Sequence, residues 1–347
     1  MSADVDADVL VVGGGPVGLV AAIEARLAGL SVVVVEPRVG AIDKACGEGL
    51  MPGAVAALTR LGVDPDGHPL TGISYRDHRR HVDHTFRGVP GRGVRRTVLH
   101  AALLDRSAAL GVDRVVARVT GVSQGATGVE AAGVRARWLL ACDGLHSPVR
   151  RLVGLEATGS RWPRRTPAPR FGLRRHFAVA PWSSMVEVHW GPDVEAYVTP
   201  VGSAEVGIAL LGPRGADFAA ALASFPSLSR RLDGLEPTTA VRGAGSLRQR
   251  TTARTTGRVR LVGDASGYVD ALTGEGLRVG FAQARAAIAH LDDAAAYEQA
   301  WLAATRGYRV LTSGLVAWAT SPARPAIVPA AKAAPWLFGT VVDALAR

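Results

Sequence analysis

The chain has 347 residues, 48% of them hydrophobic, enough to bury a large core in one large domain or two interleaved ones. Its two cysteines, Cys46 and Cys142, exclude a disulfide scaffold and a multi-cysteine zinc site, and they fit a reducing compartment. The net charge of +10 is nearly all arginine, with Lys44 and Lys332 the only lysines, and it is spread along the chain, so no nucleic-acid partner is expected. Residues Met1 to Asp8 are acidic where a secretion signal needs a basic start, and no segment reaches the roughly 18 uninterrupted apolar residues of a spanning helix. A cytoplasmic location is therefore expected.

The run Asp8 to Val12 is of strand type, Pro16 to Ala28 has a helical pattern stopped by Gly29, and Ser31 to Glu36 is a second, valine-rich strand. This is a βαβ unit whose first turn reads Gly13-Gly-Gly15-Pro-Val-Gly18. In such a turn Gly15 lets the backbone approach a pyrophosphate, and Gly18 allows the helix to pack closely on the strand. The free N–H groups of the helix N-terminus then face the phosphates, and Pro16 sits where a missing N–H does no harm. Glu36 ends the second strand, 18 residues after Gly18, where a carboxylate accepts hydrogen bonds from ribose hydroxyls and repels a 2′-phosphate. The unit favours FAD or NAD over NADP.

Residues Ile42 to Pro52 form a loop punctuated by Gly47 and Gly49, followed by a helical run from Gly53 to Leu61. Lys44 is a candidate for pyrophosphate contact, and Cys46 is either a small buried hydrophobe or a site-lining thiol. An amphipathic helix is expected from Arg95 to about Leu110, then a strand near Val115 to Val119, a hairpin around Gly125 and Gly128, and a strand from Trp138 to Cys142. That strand ends in Asp143-Gly144-Leu-His-Ser147-Pro, an acid and a helix-starting serine at a second strand-to-loop junction. The arginines that follow (Arg150, Arg151, Arg161, Arg164, Arg165, Arg170, Arg174 and Arg175) read as a solvated face. The sharper alternative is a landing surface for an anionic partner, such as the 2′-phosphate of NADPH or a carrier-linked substrate.

From about Leu155 to Leu247, strand-like runs (Arg170 to Val179, Met185 to Trp190, Glu195 to Pro200, Glu205 to Leu211) alternate with turns, which predicts a mostly antiparallel sheet. The segment Gly72 to Phe86 has the same texture. His176, His189, Trp190 and Tyr197 lie on this sheet. Arg258 to Val262 is again a strand, followed by Gly263-Asp264 at its C-terminal end, where open α/β sheets bind ligands. Gly274-Glu-Gly276-Leu277 then opens a long helix reaching about Ala296, and further helices are expected over Tyr297 to Ala319 and Pro335 to Ala346, packing over a substrate pocket. A lipid-access role for these last helices is the alternative.

The three motifs, the glycine loop with Glu36, Asp143-Gly144, and Gly263-Asp264, together resemble those of FAD enzymes with the glutathione-reductase-like fold. That fold is shared by class A flavoprotein monooxygenases of the p-hydroxybenzoate hydroxylase group, geranylgeranyl reductases and flavin-dependent halogenases. The resemblance runs from residue 8 to about 290. It implies an α/β architecture: a Rossmann FAD-binding domain (1–70, 91–154 and 248–293), an inserted, mainly antiparallel substrate domain (71–90 and 155–247), and C-terminal helices (294–347). It also implies that Gly15 and Gly18 face the pyrophosphate, Glu36 the adenosine ribose, Asp264 the ribityl chain, Val119 the adenine, and Gly274 to Leu277 the isoalloxazine ring. Arg96, of an Arg-x-x-Leu pattern ending at Leu99, would contact FAD, and Asp143 would support both FAD and the reduced pyridine nucleotide. The expected cofactor set is Gly13, Gly15, Pro16, Val17, Gly18, Glu36, Arg38, Lys44, Ala45, Cys46, Arg96, Val119, Asp143, Gly144, Gly263, Asp264, Gly274, Gly276 and Leu277.

Among the chemistries of that superfamily, halogenation fits worst, because none of the seven tryptophans lies two residues from another and no lysine is free for catalysis. Cys46-Gly47-Glu48-Gly49 and Tyr268-Val-Asp-Ala-Leu-Thr-Gly-Glu-Gly276 resemble segments of the geranylgeranyl reductases. The leading expectation is nonetheless a monooxygenase of specialised metabolism: NADPH or NADH reduces the FAD, oxygen adds at the flavin C4a position, and a small organic substrate, hydrophobic or carrier-linked, is oxidised. Reduction of a carbon–carbon double bond is the runner-up. A flavin-binding protein without turnover is the third class. Cys46, His189 and Tyr197 are the candidates for a part in the chemistry. No catalytic base and no metal site are assigned, and a monomer or homodimer is expected.

Overall fold

A computed structural model describes residues 5–157 and 169–346. Arg161, Arg164 and Arg165 of the basic stretch lie outside them. The first sheet is organised around Ala7–Val12, which pairs in parallel with Val32–Val35 on one side and Val134–Ala141 on the other. Val259–Leu261 adds in parallel beyond Val134–Ala141, and Asp113–Val115 beyond Val32–Val35. Thr255–Thr256 and the hairpin of Ser123–Gln124 and Val129–Ala131 complete its eight strands. All four valines of Val32–Val35 are buried, as a parallel strand covered on both faces requires. Along Ala7–Val12, Val9 and Val11 face the core formed with Leu19, Ile23, Leu103 and Phe281, while Leu10 and Val12 join the opposite core with Val129 and Leu139. Period-two alternation thus feeds two cores from one strand.

The second sheet has seven strands, in the order Arg242–Ala244, Phe171–Phe177, Glu205–Gly212, Glu195–Gly202, Met185–Trp190, Gly72–Arg76 and His81–Thr85. Every neighbouring pair is antiparallel except Met185–Trp190 with Gly72–Arg76. One face packs on helices Phe218–Ala223 and Pro226–Leu232 through Phe218, Phe225, Leu228 and Leu232. The other presents Val186 and Val188 to the C-terminal helices Ala294–Ala319, Ile327–Ala333 and Pro335–Ala346. A small sheet of Gly49–Leu50, Gly91–Gly93 and His68–Leu70 lies against helix Pro52–Arg60 and strand Glu195–Gly202.

Three expectations need correction. The helix expected to reach Ala296 ends at Ala289, and the second one, expected from Tyr297 to Ala319, begins at Ala294. Asp293 caps the second by accepting the Ala296 N–H at 2.9 Å, and aspartate is favoured at that role over a helix interior. The strand expected at Val115 to Val119 is Asp113–Val115, because its partner Val32–Val35 offers only four residues and the last pairing is Glu36 N–H to Val115 O. Among the described arginines of the basic stretch, Arg150, Arg170 and Arg174 are not on a solvated face but buried, Arg170 against Glu195 and Arg174 against Asp43, while Arg151 is exposed. An anionic landing surface loses those three.

Candidate active site

One cavity of about 1120 Å³ runs from the glycine loop to the C-terminal helices. At its first end the strand Ala7–Val12 delivers Gly13 to Gly15 to the start of helix Pro16–Leu27. A Cβ on Gly18 would sit 1.8 Å from the Gly13 carbonyl oxygen, so only glycine lets the helix start close over the loop. A Cβ on Gly15 would meet nothing nearer than Arg96 Nη2 at 3.9 Å, so its backbone stands open to the cavity. The loop is pinned from behind by His100: the Ile42 N–H donates to Nδ1 at 3.2 Å, so Nε2 carries the proton and donates to Gly14 O at 2.7 Å. Burial pulls the His100 pKa down, which favours this neutral form.

Glu36 lies at the end of its strand, 3% exposed, accepting the Gly14 N–H at 2.9 Å and the Arg38 guanidinium at 2.7 Å. Burial alone would raise its pKa, but these hydrogen bonds outweigh it and hold the carboxyl below its usual range. Two polar atoms in the wall are buried without a hydrogen-bond partner: Arg96 Nε and Asp143 Oδ1. Asp143 Oδ2 accepts the Val149 N–H at the start of helix Pro148–Leu152, which Ser147 caps by accepting the Arg150 N–H. Gly263–Ser266 is a single 3-10 turn held by Gln283 Oε1, which accepts the Gly263 N–H at 2.6 Å and the Ser266 hydroxyl at 3.1 Å. Asp264 lines the cavity from this turn. An orphaned guanidinium nitrogen and an orphaned carboxylate oxygen, an open glycine backbone and a buried strand-end acid are the complement of a dinucleotide. The residues present fit FAD.

Every member of the expected cofactor set lines the cavity except Gly18, whose part is the close packing described above. The candidates for the chemistry divide. Cys46 lines the cavity, its thiol pushed up in pKa by burial and next by the Glu48 carboxylate. Tyr197 also lines it and donates to Leu272 O at 2.9 Å. His189 does not. On the strand Met185–Trp190, Val186 and Val188 face the cavity, so by alternation Glu187 and His189 point the other way, where His189 Nε2 lies 2.9 Å from Glu187 Oε2 and its ring meets Phe225. Trp190 packs edge-on against Tyr75 behind the wall, and His176 is buried against Glu48.

Sequence reasoning missed Glu48. It adopts φ 58°, accepts the Arg96 N–H at 2.8 Å and meets His176 Nε2 at 2.5 Å, so it ties the Cys46 loop to the Arg96 helix and the second sheet. An acid between two glycines was the available signal. Tyr75 and Tyr268 were also missed as cavity walls. Beyond the Gly274 to Leu277 loop the cavity becomes a chamber lined by Val186, Val188, Tyr197, Leu315, Phe338 and similar residues, and the side chains that the C-terminal helices contribute to its wall, from Val310 to Leu345, are all uncharged. Among the described residues no group of three or more His, Cys, Asp or Glu could hold a metal ion.

A parallel sheet whose strand ends present a glycine loop, a ribose-type acid and two further loops to a single long cavity defines a flavin-dependent oxidoreductase. A family model described as an FAD binding domain matches residues 6–166. Menaquinone reductase of Mycobacterium tuberculosis is 30% identical over 334 residues, covering 84% of this chain and 78% of that protein. A 3-(3-hydroxy-phenyl)propionate/3-hydroxycinnamic acid hydroxylase of Mycobacterium avium is 33% identical over 195 residues, 46% of this chain and 33% of its own. The structure of the flavin-dependent brominase Bmp2 superposes with a TM-score of 0.77 at 17% identity, covering 98% of this chain and 93% of that one, a likeness of fold. The chain belongs to the FAD-dependent oxidoreductases of the class A flavoprotein monooxygenase and geranylgeranyl reductase superfamily.

Proposed function

We propose that the protein is an NAD(P)H-driven, FAD-dependent monooxygenase acting on an elongated apolar substrate. The observation that carries this reading is the uncharged wall that the C-terminal helices give the chamber beyond the flavin loop. Such a wall binds apolar molecules and keeps water from the reacting atoms. Bound FAD would supply two electrons from NAD(P)H to dioxygen, one oxygen atom entering the substrate and the other leaving as water. In this reading residues 1–70, 91–154 and 248–293 hold the cofactor, and 71–90 with 155–247 supply the substrate sheet. The Gly15 backbone and Arg96 would hold the pyrophosphate, Glu36 the adenosine ribose and Asp264 the ribityl chain. Backbone N–H groups at Gly276 and Leu277 would lie beside the isoalloxazine, at the positive end of helix Gly276–Ala289. Cys46 and Tyr197, with thiol and phenol held protonated by burial, would border the substrate without acting as bases, the thiol as a weak donor and the phenol oxygen, whose proton goes to Leu272 O, as an acceptor.

Reduction of a carbon–carbon double bond is the second reading. It is favoured by the menaquinone reductase, whose similarity spans 84% of this chain, whereas the hydroxylase matches 46% of it. Chemically reduced holoenzyme incubated with a bacterial lipid extract under isotopically labelled dioxygen separates the two. Label in a lipid-soluble product is expected; a hydrogenated product formed equally well without oxygen would establish the reductase instead.

A further inference from the structure

We infer that the elbow made by helices Ile327–Ala333 and Pro335–Ala346 is a membrane-docking surface, through which the chamber takes a lipid-resident substrate from an anionic bilayer. The inference rests on the chamber being the substrate site and names the phase that delivers the substrate. The segments Arg324–Ala333 and Pro335–Ala346 meet at 104°. Their inner side is buried, with Ile327, Phe338 and Val342 packed against the chamber. Their outer side exposes Trp336 by 73% and Leu337 by 49%.

Four lining residues of these helices are also open to solvent: Ala330 and Leu337 of the elbow, and Gly314 and Val310 of helix Ala294–Ala319, the last at 66% exposure. The chamber therefore opens between that helix and the elbow, and its rim is apolar. An apolar mouth beside an exposed tryptophan suits the boundary between headgroups and acyl chains, where tryptophan is enriched. A substrate leaving the bilayer there would enter the protein without crossing water.

Charge points the same way. Between Glu298 and Asp343 the chain has no acidic residue, while Arg306 and Lys332 are exposed and Arg309 is half-buried. Asp343 of the elbow is taken up by His84 and Arg87, and against the exposed Asp83 of the adjoining strand the cations Arg306, Arg309 and Lys332 leave a net positive surface around the apolar mouth, which is attracted to anionic lipid. No single helix among the described residues is long and apolar enough to cross a membrane. Pro335–Ala346, at 12 residues, is about 18 Å long against a hydrocarbon core of about 30 Å, so the elbow would lie in the interface.

Flotation of the FAD-loaded protein with vesicles of phosphatidylcholine, alone or with about one-fifth phosphatidylglycerol, tests this. Wild-type protein should float with the anionic vesicles. The double variant Trp336→Ser/Leu337→Ser and the single variant Lys332→Glu should float less, the double variant by at least about tenfold, with flavin absorbance and circular dichroism intact. Leu27→Ser, which alters a half-exposed leucine at the C-terminal end of helix Pro16–Leu27, in the first core, should float like wild type. The inference is overturned if wild type does not float, if the double variant floats equally well, or if wild type is a dimer that the double variant converts to monomer, since a second copy would then cover the elbow. Flotation needs no turnover. Failure of oxygen labelling with positive flotation would sink only the proposed reaction, and labelling without flotation would sink only the docking.

Discussion

The two ends of the cavity are built on opposite principles. At the glycine-loop end the contacts run through backbone: the Gly18 Cα under the Gly13 carbonyl, the Gly14 N–H on Glu36, the Gly14 carbonyl on His100. A single added methyl group or lost proton is felt there. At the chamber end the wall is made of apolar side chains such as Val188, Leu315 and Phe338, and what matters is the volume they leave. The first end is a set of positions, the second a shape, and substitutions at the two should fail in different ways.

The largest effect is expected where the two ends are joined. Glu195, fully buried, pairs with Arg170 and with Arg324 at 2.6 Å, and Arg170 also faces Asp270 at 3.6 Å. This network links the sheet, the flavin loop and the turn before the C-terminal elbow. Removing the carboxylate in Glu195→Ala strands two buried guanidinium groups, and the loss should be about 3–5 kcal/mol, read as a lower urea midpoint. An unchanged midpoint would mean that the two ends are stabilised separately.

Next in size are paired substitutions that separate the ends. Gly15→Ala should fold, since its Cβ has free space, yet bind FAD at least about tenfold more weakly, a loss of about 1.4 kcal/mol seen in titration of the apoprotein. Gly314→Leu, in the interior of helix Ala294–Ala319, adds a side chain where nothing lies within 4 Å of the new Cβ and where the chamber is lined. It should keep FAD, gain up to about 1 kcal/mol from the loss of a helical glycine, and raise the KM for long substrates severalfold. If both variants changed FAD affinity alike, the division between position and shape would collapse.

The same division explains what could be read in the chain alone. Glycines at fixed spacing after an apolar run, and an acid at the next strand end, mark positions, so the loop and the residues that line the first end of the cavity were legible. The parallel core and the meeting of Gly72–Arg76 with Met185–Trp190 in one sheet follow from patterning as well. Glu48 was not legible, because its partners Arg96 and His176 lie 48 and 128 residues away and only the folded chain brings them to it. His189 was misread because alternation says which residues share a face but not which face meets the cavity. The chamber mouth escaped for a related reason: Val310 and Leu337 are ordinary apolar residues of amphipathic helices until the elbow leaves them at a rim.

The smallest effect tests the backbone end through pH. His100 is buried and neutral, its Nδ1 accepting from Ile42 and its Nε2–H donating to Gly14 O, and burial holds its folded-state pKa below the ordinary value of 6.5. The unfolded chain therefore takes up a proton at a higher pH than the folded one. Stability from this histidine is fully present above pH 6.5 and is lost as the pH falls through that value toward the lower folded-state pKa. Protonation would also set an N–H at Nδ1 against the Ile42 N–H and loosen the loop, so FAD affinity and melting temperature should decline together in that window. In His100→Gln, which keeps an amide able to bond Gly14 O but does not titrate, this contribution should vanish and the profile flatten, leaving the slope due to other groups. An identical pH profile in wild type and His100→Gln would show that the glycine loop is not held by the neutral imidazole.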